Sequence, residues 1–160
     1  MAYQLNVDGM AELSETLGKM EEAAQTVASK ALYKGAGIMA EEIAKSAESI
    51  KTAPFRYVKT GVRLPSPEEK AIVVAAGAGI AKFDRNGTEV DTSVGYRSSG
   101  YADLNGKRKP IPLIVNSINS GTSFMNKQPF VRKAANSGGK KAMEAMKAVI
   151  ESEFEAMQKK

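Results

Sequence analysis

An apolar stripe near the start of the chain constrains the fold more than any other feature. Apolar or small residues recur at steps of mostly three and four from Met10 to Ile43, with glutamates and lysines between them. An unbroken helix reaching Ser49 would be about 60 Å long, which exceeds the width of a domain of this size. We therefore predict one long amphipathic helix that either bends at Gly18 or at residues 35–37, or projects to meet another subunit.

The segments on either side of this helix are the predicted partner contacts. Residues 1–8 alternate between apolar and polar, which predicts a short strand or an extended N-terminal arm. Residues 50–70 contain three prolines, so we predict a long loop. Three cations and two aromatic residues on that loop form the best candidate nucleic-acid patch in the chain, although a solvated loop with anchoring aromatics is the favoured alternative. The candidate contact residues are Tyr3, Leu5, Val7, Phe55, Arg56, Tyr57, Lys59 and Arg63.

The middle of the chain has the signals of β structure. Ala71–Ala76 is a short apolar run rich in branched residues, which is typical of a strand. Asn86-Gly87 and Asn105-Gly106 are strong signals for two-residue hairpin turns, because both turn residues need a positive φ. We predict an antiparallel meander from segments 80–85, 88–96, 101–104 and 111–115.

A second amphipathic helix is predicted after Gln128, with Pro129 at its first position. Asn136 to Gly139 predicts a break or kink in it. The expected fold is α+β: a long N-terminal helix and a C-terminal helix packed on a twisted antiparallel sheet, in one domain spanning residues 1–160.

The composition removes most catalytic chemistry. The chain has no Cys, His or Trp, so disulfides, thiolate or imidazole metal sites and Ser-His-Asp arrangements are excluded. The acidic residues Asp84 to Asp91 surround a predicted hairpin tip, and a helix does not follow Gly77-Ala78-Gly79 as a phosphate turn would need. We expect no enzyme, no cofactor and no metal. A net charge of +5 decides no partner, and we expect no membrane span and no secretory signal.

One stretch resembles a known family. Ile118–Ala134 resembles the signature of tailed-phage neck proteins, which are the head-tail joining or tail-completion proteins of long-tailed phages. In that family a Gly-Thr pair precedes a short loop and a Pro-Phe-aliphatic-Arg-x-Ala helix start. The matching positions here are Gly121, Thr122, Pro129, Phe130, Arg132 and Ala134. Val7–Leu13, Ala31–Ala36 and Thr60–Arg63 resemble other parts of the family pattern.

The resemblance implies a structural protein without a cofactor. Such proteins form a ring at the neck of the virion, often a hexamer, after assembly in the host cytoplasm. The implied partners are further copies of the chain, the connector or head-completion protein, and the tail terminator or tail tube protein, with DNA only nearby. Gly121-Thr122 would form a tight turn, and Phe130 would pack on the sheet. A tail terminator that caps the tube is the alternative within phage biology, and a basic nucleic-acid-binding module is the alternative of another class.

Overall fold

The computed structural model describes residues 10–54, 61–86, 89–97 and 99–159. The predicted arm at residues 1–8 lies outside the described residues, and so does the middle of the predicted loop, residues 55–60. The element order is α1 (Met10–Glu48), α2 (Pro67–Ala76), β1 (Gly79–Ile80), β2 (Asp84–Asn86), β3 (Glu89–Asp91), β4 (Val94–Gly95), β5 (Tyr101–Leu104), β6 (Lys107–Pro110), α3 (Ile111–Ser120) and α4 (Phe130–Gln158). The α+β class, with a long helix near each end of the chain, is confirmed.

Helix α1 is a single helix of 39 residues. At 1.5 Å per residue it is about 58 Å long, and neither Gly18 nor residues 35–37 interrupt it. It packs antiparallel to α4. At one end of the contact, Ser46 donates a hydrogen bond to the carbonyl of Phe130. At the other end, Lys30 and Glu153 form an ion pair at 2.8 Å.

Helix α4 runs without a break from Phe130 to Gln158, so the predicted kink at Asn136–Gly139 is wrong. One of the two glycines there, Gly138, lies at the contact with α1. A Cβ at Gly138 would lie 2.9 Å from Cγ of Glu42 on α1, so the absent side chain allows the two helices to approach. Ser137 donates a hydrogen bond to the Glu42 carboxylate at 3.2 Å. Ser137 and Gly138, which weaken local helix propensity, are therefore residues at which α4 contacts α1.

Two segments predicted as strands are helices. Ala71–Ala76 belongs to α2, which begins with a capping box: the Glu69 N–H donates to the Ser66 hydroxyl at 3.1 Å, and the Ser66 N–H donates to the Glu69 carboxylate at 2.8 Å. Residues 111–115 belong to α3, which starts directly after β6 with Pro112 in its first turn. In both cases a proline at the N-terminus favours the helix over the strand.

The strands form three antiparallel pairs instead of one meander: β1 with β4, β2 with β3, and β5 with β6. The first two pairs are successive parts of one hairpin, joined by a hydrogen bond from the Ala81 N–H to the Ser93 carbonyl at 2.8 Å. The third is a tight hairpin with Asn105 at φ 53° and Gly106 at φ 72°, as the Asn-Gly signal predicts. Strand β5 pairs with β6, so residues 111–115 are not needed for the ladder and are available for α3.

The core lies where the C-terminal half of α1 and the first turns of α4 meet the middle of the chain. Its buried members come from α1, α2, α3, α4 and β5, and from two loop positions. They are Ile43, Ala47, Ile50, Val73, Leu104, Ile114, Val115, Ile118, Met125, Phe130 and Ala134. The first buried residue of α1 whose side chain is described is Val27. The core therefore occupies one end of the helix pair.

At the other end, the two long helices extend away from the body of the molecule. We call this part the stalk, and it comprises residues 10–30 of α1 and 144–158 of α4. Continuing the spacing set by Lys30 and Glu153 places Gln158 level with about residue 25 of α1. The start of α1 therefore reaches beyond the end of α4. Among the described residues, no helix combines the length and the apolar character that a membrane crossing requires.

Candidate functional site

Two segments that carry the family resemblance lie side by side. The Arg63 N–H donates to the Phe124 carbonyl at 2.8 Å, and the Asn126 N–H donates to the Arg63 carbonyl at 3.0 Å. This pairing joins the end of the loop before α2 to the turn between α3 and α4. We call the two segments, residues 61–64 and 121–127, the junction.

The turn in the junction depends on Gly121. Its φ of 79° lies in the region that favours glycine, and a Cβ there would lie 2.9 Å from Cβ of Lys127 and 3.0 Å from its backbone nitrogen. Thr122 and Met125 exchange backbone hydrogen bonds at 3.0 and 3.3 Å. The Thr122 hydroxyl accepts a hydrogen bond from the Phe124 N–H at 3.2 Å. Gly121 and Thr122 thus begin a tight turn.

The start of α4 packs into the core. Pro129 is the residue before the helix, and Phe130 is its first residue. Phe130 is 2% exposed and meets the ring of Tyr96, just after β4, edge to face at 6.0 Å. Ala134 is fully buried one turn later, whereas Arg132 is exposed. Phe130 and Ala134 therefore act in packing, and Arg132 faces outward.

Arg63, which is partly buried, is bound to Glu69 of α2. Its guanidinium donates two hydrogen bonds of 2.6 Å to the Glu69 carboxylate and a third, of 3.1 Å, to the Leu64 carbonyl. The Glu69 side chain is almost fully buried, and burial raises its pKa. The hydrogen bonds from Arg63 and Ser66 outweigh burial, so the pKa of Glu69 lies below its ordinary value. The same pair raises the pKa of Arg63.

Of the predicted patch on that loop, the structure describes Arg63, whose guanidinium is bound to Glu69. The other predicted contacts, Phe55, Arg56, Tyr57, Lys59, Tyr3, Leu5 and Val7, lie outside the described residues. Arg63 links the junction to the first turn of α2, so the Arg63 side chain stabilises the fold. Its role as a partner contact stays a prediction.

An apolar groove lies beside the junction. It has a volume of about 160 Å³ and runs between α3 and the turn, with Lys109 of β6 at its edge. Leu104, Ile114 and Met125 form its buried floor, while Leu113 and Phe124 stand exposed on its rim. Sequence reasoning missed this groove, because residues 111–115 were predicted as a strand and Phe124 as part of a loop.

The hairpin carboxylates do not gather into a reactive site. Asp84 pairs with Asp91 in the ladder of β2 and β3, and the side chains of Asp84, Glu89 and Asp91 are exposed. The described residues contain no group of three or more acidic side chains placed to hold a metal ion. Gly77, at φ 62°, ends α2, so a helix precedes this glycine-rich turn and a strand follows it. That order is the reverse of a dinucleotide-binding turn.

Comparison with protein-family models gave no match, and comparisons with curated proteins and with solved structures gave none either.

Proposed function

We propose that this protein is a structural component of the neck of a long-tailed phage, where it forms a ring that joins the DNA-filled head to the tail. The observation that carries the proposal is the structure of Ile118–Ala134. The Gly-Thr pair makes a tight turn, and the Pro-Phe pair introduces the last helix with its Phe130 side chain buried. The residues that carry the resemblance thus form a turn and the start of a helix in this structure.

The shape of the molecule supports an assembly role. The stalk reaches away from the core and exposes large apolar side chains, including Leu17 and Met20. Exposed apolar surface of this kind is typical of protein-protein contacts. A ring of identical subunits needs elements that extend from one subunit to the next, and the stalk is such an element.

The test is to measure the mass and shape of the purified protein, alone and mixed with finished tails of the same phage, by light scattering and negative-stain imaging. We expect rings, or monomers that become rings only at the end of a tail. Heads mixed with tails should join only when the protein is present. We expect a Gly121→Ala variant to unfold at a lower temperature. In the joining assay it shows whether joining requires the folded protein.

A persistent monomer or dimer that ignores tails but shifts on DNA would overturn the proposal in favour of the nucleic-acid module. The variant for that comparison is Arg56→Ala with Lys59→Ala, and Arg63 is left in place. Because Arg63 is bound to Glu69, its replacement would disturb the fold and confuse the result. Loss of salt-sensitive DNA binding in this double variant, with head-tail joining intact, would support the module.

A further inference from the structure

The apolar face with which α1 packs on α4 continues beyond the end of α4. Leu17 and Met20 precede Val27, Ala31 and Gly35 at helical spacing. Val27 and Ala31 are buried, and Gly35 allows close contact with Met146 of α4. By contrast, Leu17 is 57% exposed and Met20 is 63% exposed. The face is therefore apolar for its whole length but covered for only part of it.

A second exposed apolar set lies on α4 in the same stalk. Ile150, Phe154 and Met157 follow at steps of four and three, so they share one face of the helix. All three are exposed. The stalk thus presents apolar side chains from both of its helices.

The groove beside the junction is the matching surface on the body. Leu113 and Phe124 stand on its rim, and Phe124 is 76% exposed. A shallow depression next to it shares Thr122 and Met125 with the groove and is lined by exposed Val62. The two are continuous, and the apolar part of the surface lies in the groove and at Val62.

The stalk and the part of the chain that carries the groove have opposite net charges. The stalk carries eight glutamates and three lysines, whereas residues 31–143 carry eighteen lysines and arginines against nine acidic residues. At the groove itself, Lys109 lines one edge and Lys127 lines the adjoining depression. Glu69, the acidic residue lining the groove, is neutralised by Arg63. Such complementarity steers the stalk toward the groove and favours one orientation.

The stalk of a molecule cannot reach its own groove. The junction lies beside the start of α4, which is level with Ser46 of α1. Leu17 is about 44 Å from there along the same unbroken helix. Contact between the two surfaces therefore joins two molecules through different patches. A heterologous contact of this kind repeats until it closes into a ring or continues as a filament.

We propose that the stalk of one copy of this chain docks, apolar side chains first, in the groove between α3 and residues 121–127 of a second copy. The contact between the two surfaces rests on their own apolar character and charge. Its closure into a ring rests on the proposed function.

Cysteine pairing tests the contact directly, since the chain has no cysteine of its own. Single variants Met20→Cys and Phe124→Cys are purified, mixed in equal amounts at high concentration, oxidised, and run on a non-reducing gel, with and without finished tails. We expect the mixed pair to give cross-linked dimer several-fold above a pair in which Lys82→Cys replaces Phe124→Cys. Lys82 is exposed but lies on the hairpin, away from the groove.

Three outcomes overturn the contact. Met20→Cys alone cross-linking as well as the mixed pair would mean that two stalks meet. Phe124→Cys alone doing so would mean that two grooves meet. A mixed pair no better than the Lys82→Cys control, both with and without tails, would mean that some other molecule covers these surfaces.

Charge reversal gives an independent readout. Glu21→Lys on the stalk or Lys127→Glu at the groove should each weaken self-association about two- to fivefold, as measured by light scattering or by cross-link yield. The two reversed proteins mixed together should recover association. Lack of recovery would contradict the pairing of these surfaces. If the cross-link forms in the free protein but the charge-reversal variants leave head-tail joining unchanged, the contact would be supported and the neck assignment refuted.

Discussion

Replacing Gly138 by alanine, with Gly139→Ala as the matched control, measures how closely α1 and α4 approach. Both glycines are inside α4, so each replacement gains about 1 kcal/mol of helix propensity. Nothing lies within 4 Å of a Cβ at Gly139. A Cβ at Gly138 would lie 2.9 Å from Cγ of Glu42 and 3.1 Å from Sδ of Met39.

The Glu42 side chain cannot move away easily, because its carboxylate is held by Lys141 at 3.0 Å and by Ser137 at 3.2 Å. Overpacking of this kind costs about 1–3 kcal/mol. Gly139→Ala should therefore raise the free energy of unfolding by about 1 kcal/mol. Gly138→Ala should leave it unchanged or lower it by up to about 2 kcal/mol. The two variants should differ by about 1–3 kcal/mol, or about 3–9 °C in Tm for a chain of this length.

Urea unfolding followed by circular dichroism gives both free energies, and equal m values would show that the comparison is valid. Equal stabilisation by the two alanines would refute the close packing of α4 on α1 at this position. Gly35→Ala and Gly37→Ala form a second pair on α1. The Cβ at Gly35 would meet the end of the flexible Met146 side chain at 2.6 Å, so a smaller difference is expected there.

Three further predictions concern the junction and its surroundings. Glu69→Gln should lower the free energy of unfolding by about 3 kcal/mol near neutral pH, because the guanidinium of Arg63 loses its buried carboxylate partner. Since the pKa of Glu69 is lowered by folding, the advantage of the natural chain should hold above the ordinary value of 4.5 and vanish as the pH falls through the folded-state pKa, in urea unfolding at a series of pH values. Gly121→Ala should lower Tm more than Gly106→Ala, because both replace a glycine of positive φ but only the first places a methyl group against the backbone of Lys127; equal losses would contradict the tight turn. Tyr96→Phe should raise the free energy of unfolding by about 1 kcal/mol, because the hydroxyl is buried without a hydrogen-bond partner among the described residues. Burial raises the pKa of Tyr96 to about 12, so the natural chain should lose stability above pH 10, and the variant should not. Thermal unfolding measures both effects.

Periodicity and turn chemistry predicted the elements whose structure is decided locally. The stripe from Met10 to Ile43 became α1, and the Asn105-Gly106 pair became a hairpin with both residues at positive φ. The Gly121-Thr122 pair forms a turn, and Phe130 is buried in the core against Tyr96, where the family resemblance implied packing on the sheet. In each case the signal and the structure lie within a few residues of each other.

Ala71–Ala76 shows a signal that was present but outweighed. Its branched apolar residues favour a strand, yet Ser66 and Glu69 form a capping box with Pro67 between them. Reading those residues first would have predicted a helix. The strand at residues 111–115 fails for a related reason, because a proline in the first turn of α3 is compatible with a helix and unfavourable within a ladder.

The helix through Asn136–Gly139 could not be predicted from neighbouring residues. Gly138 is explained by Met39 and Glu42, which are distant in sequence and meet it only in the folded chain. The groove is a similar case, since it exists only once α3 and the turn after it are packed together. Arg63 looked like part of a basic surface, and only the fold shows that Glu69 accepts its hydrogen bonds.

The pairing of α1 with α4 has a consequence for the chain during its synthesis. The apolar face of α1 is complete once residue 48 has been added to the chain, but its partner is not complete until Glu153 has been added. At ordinary rates of translation this interval is about 5–20 s. During that time α1 displays an apolar face that no later contact has yet covered, so it is the part of the nascent chain on which a chaperone would act and from which premature association would begin.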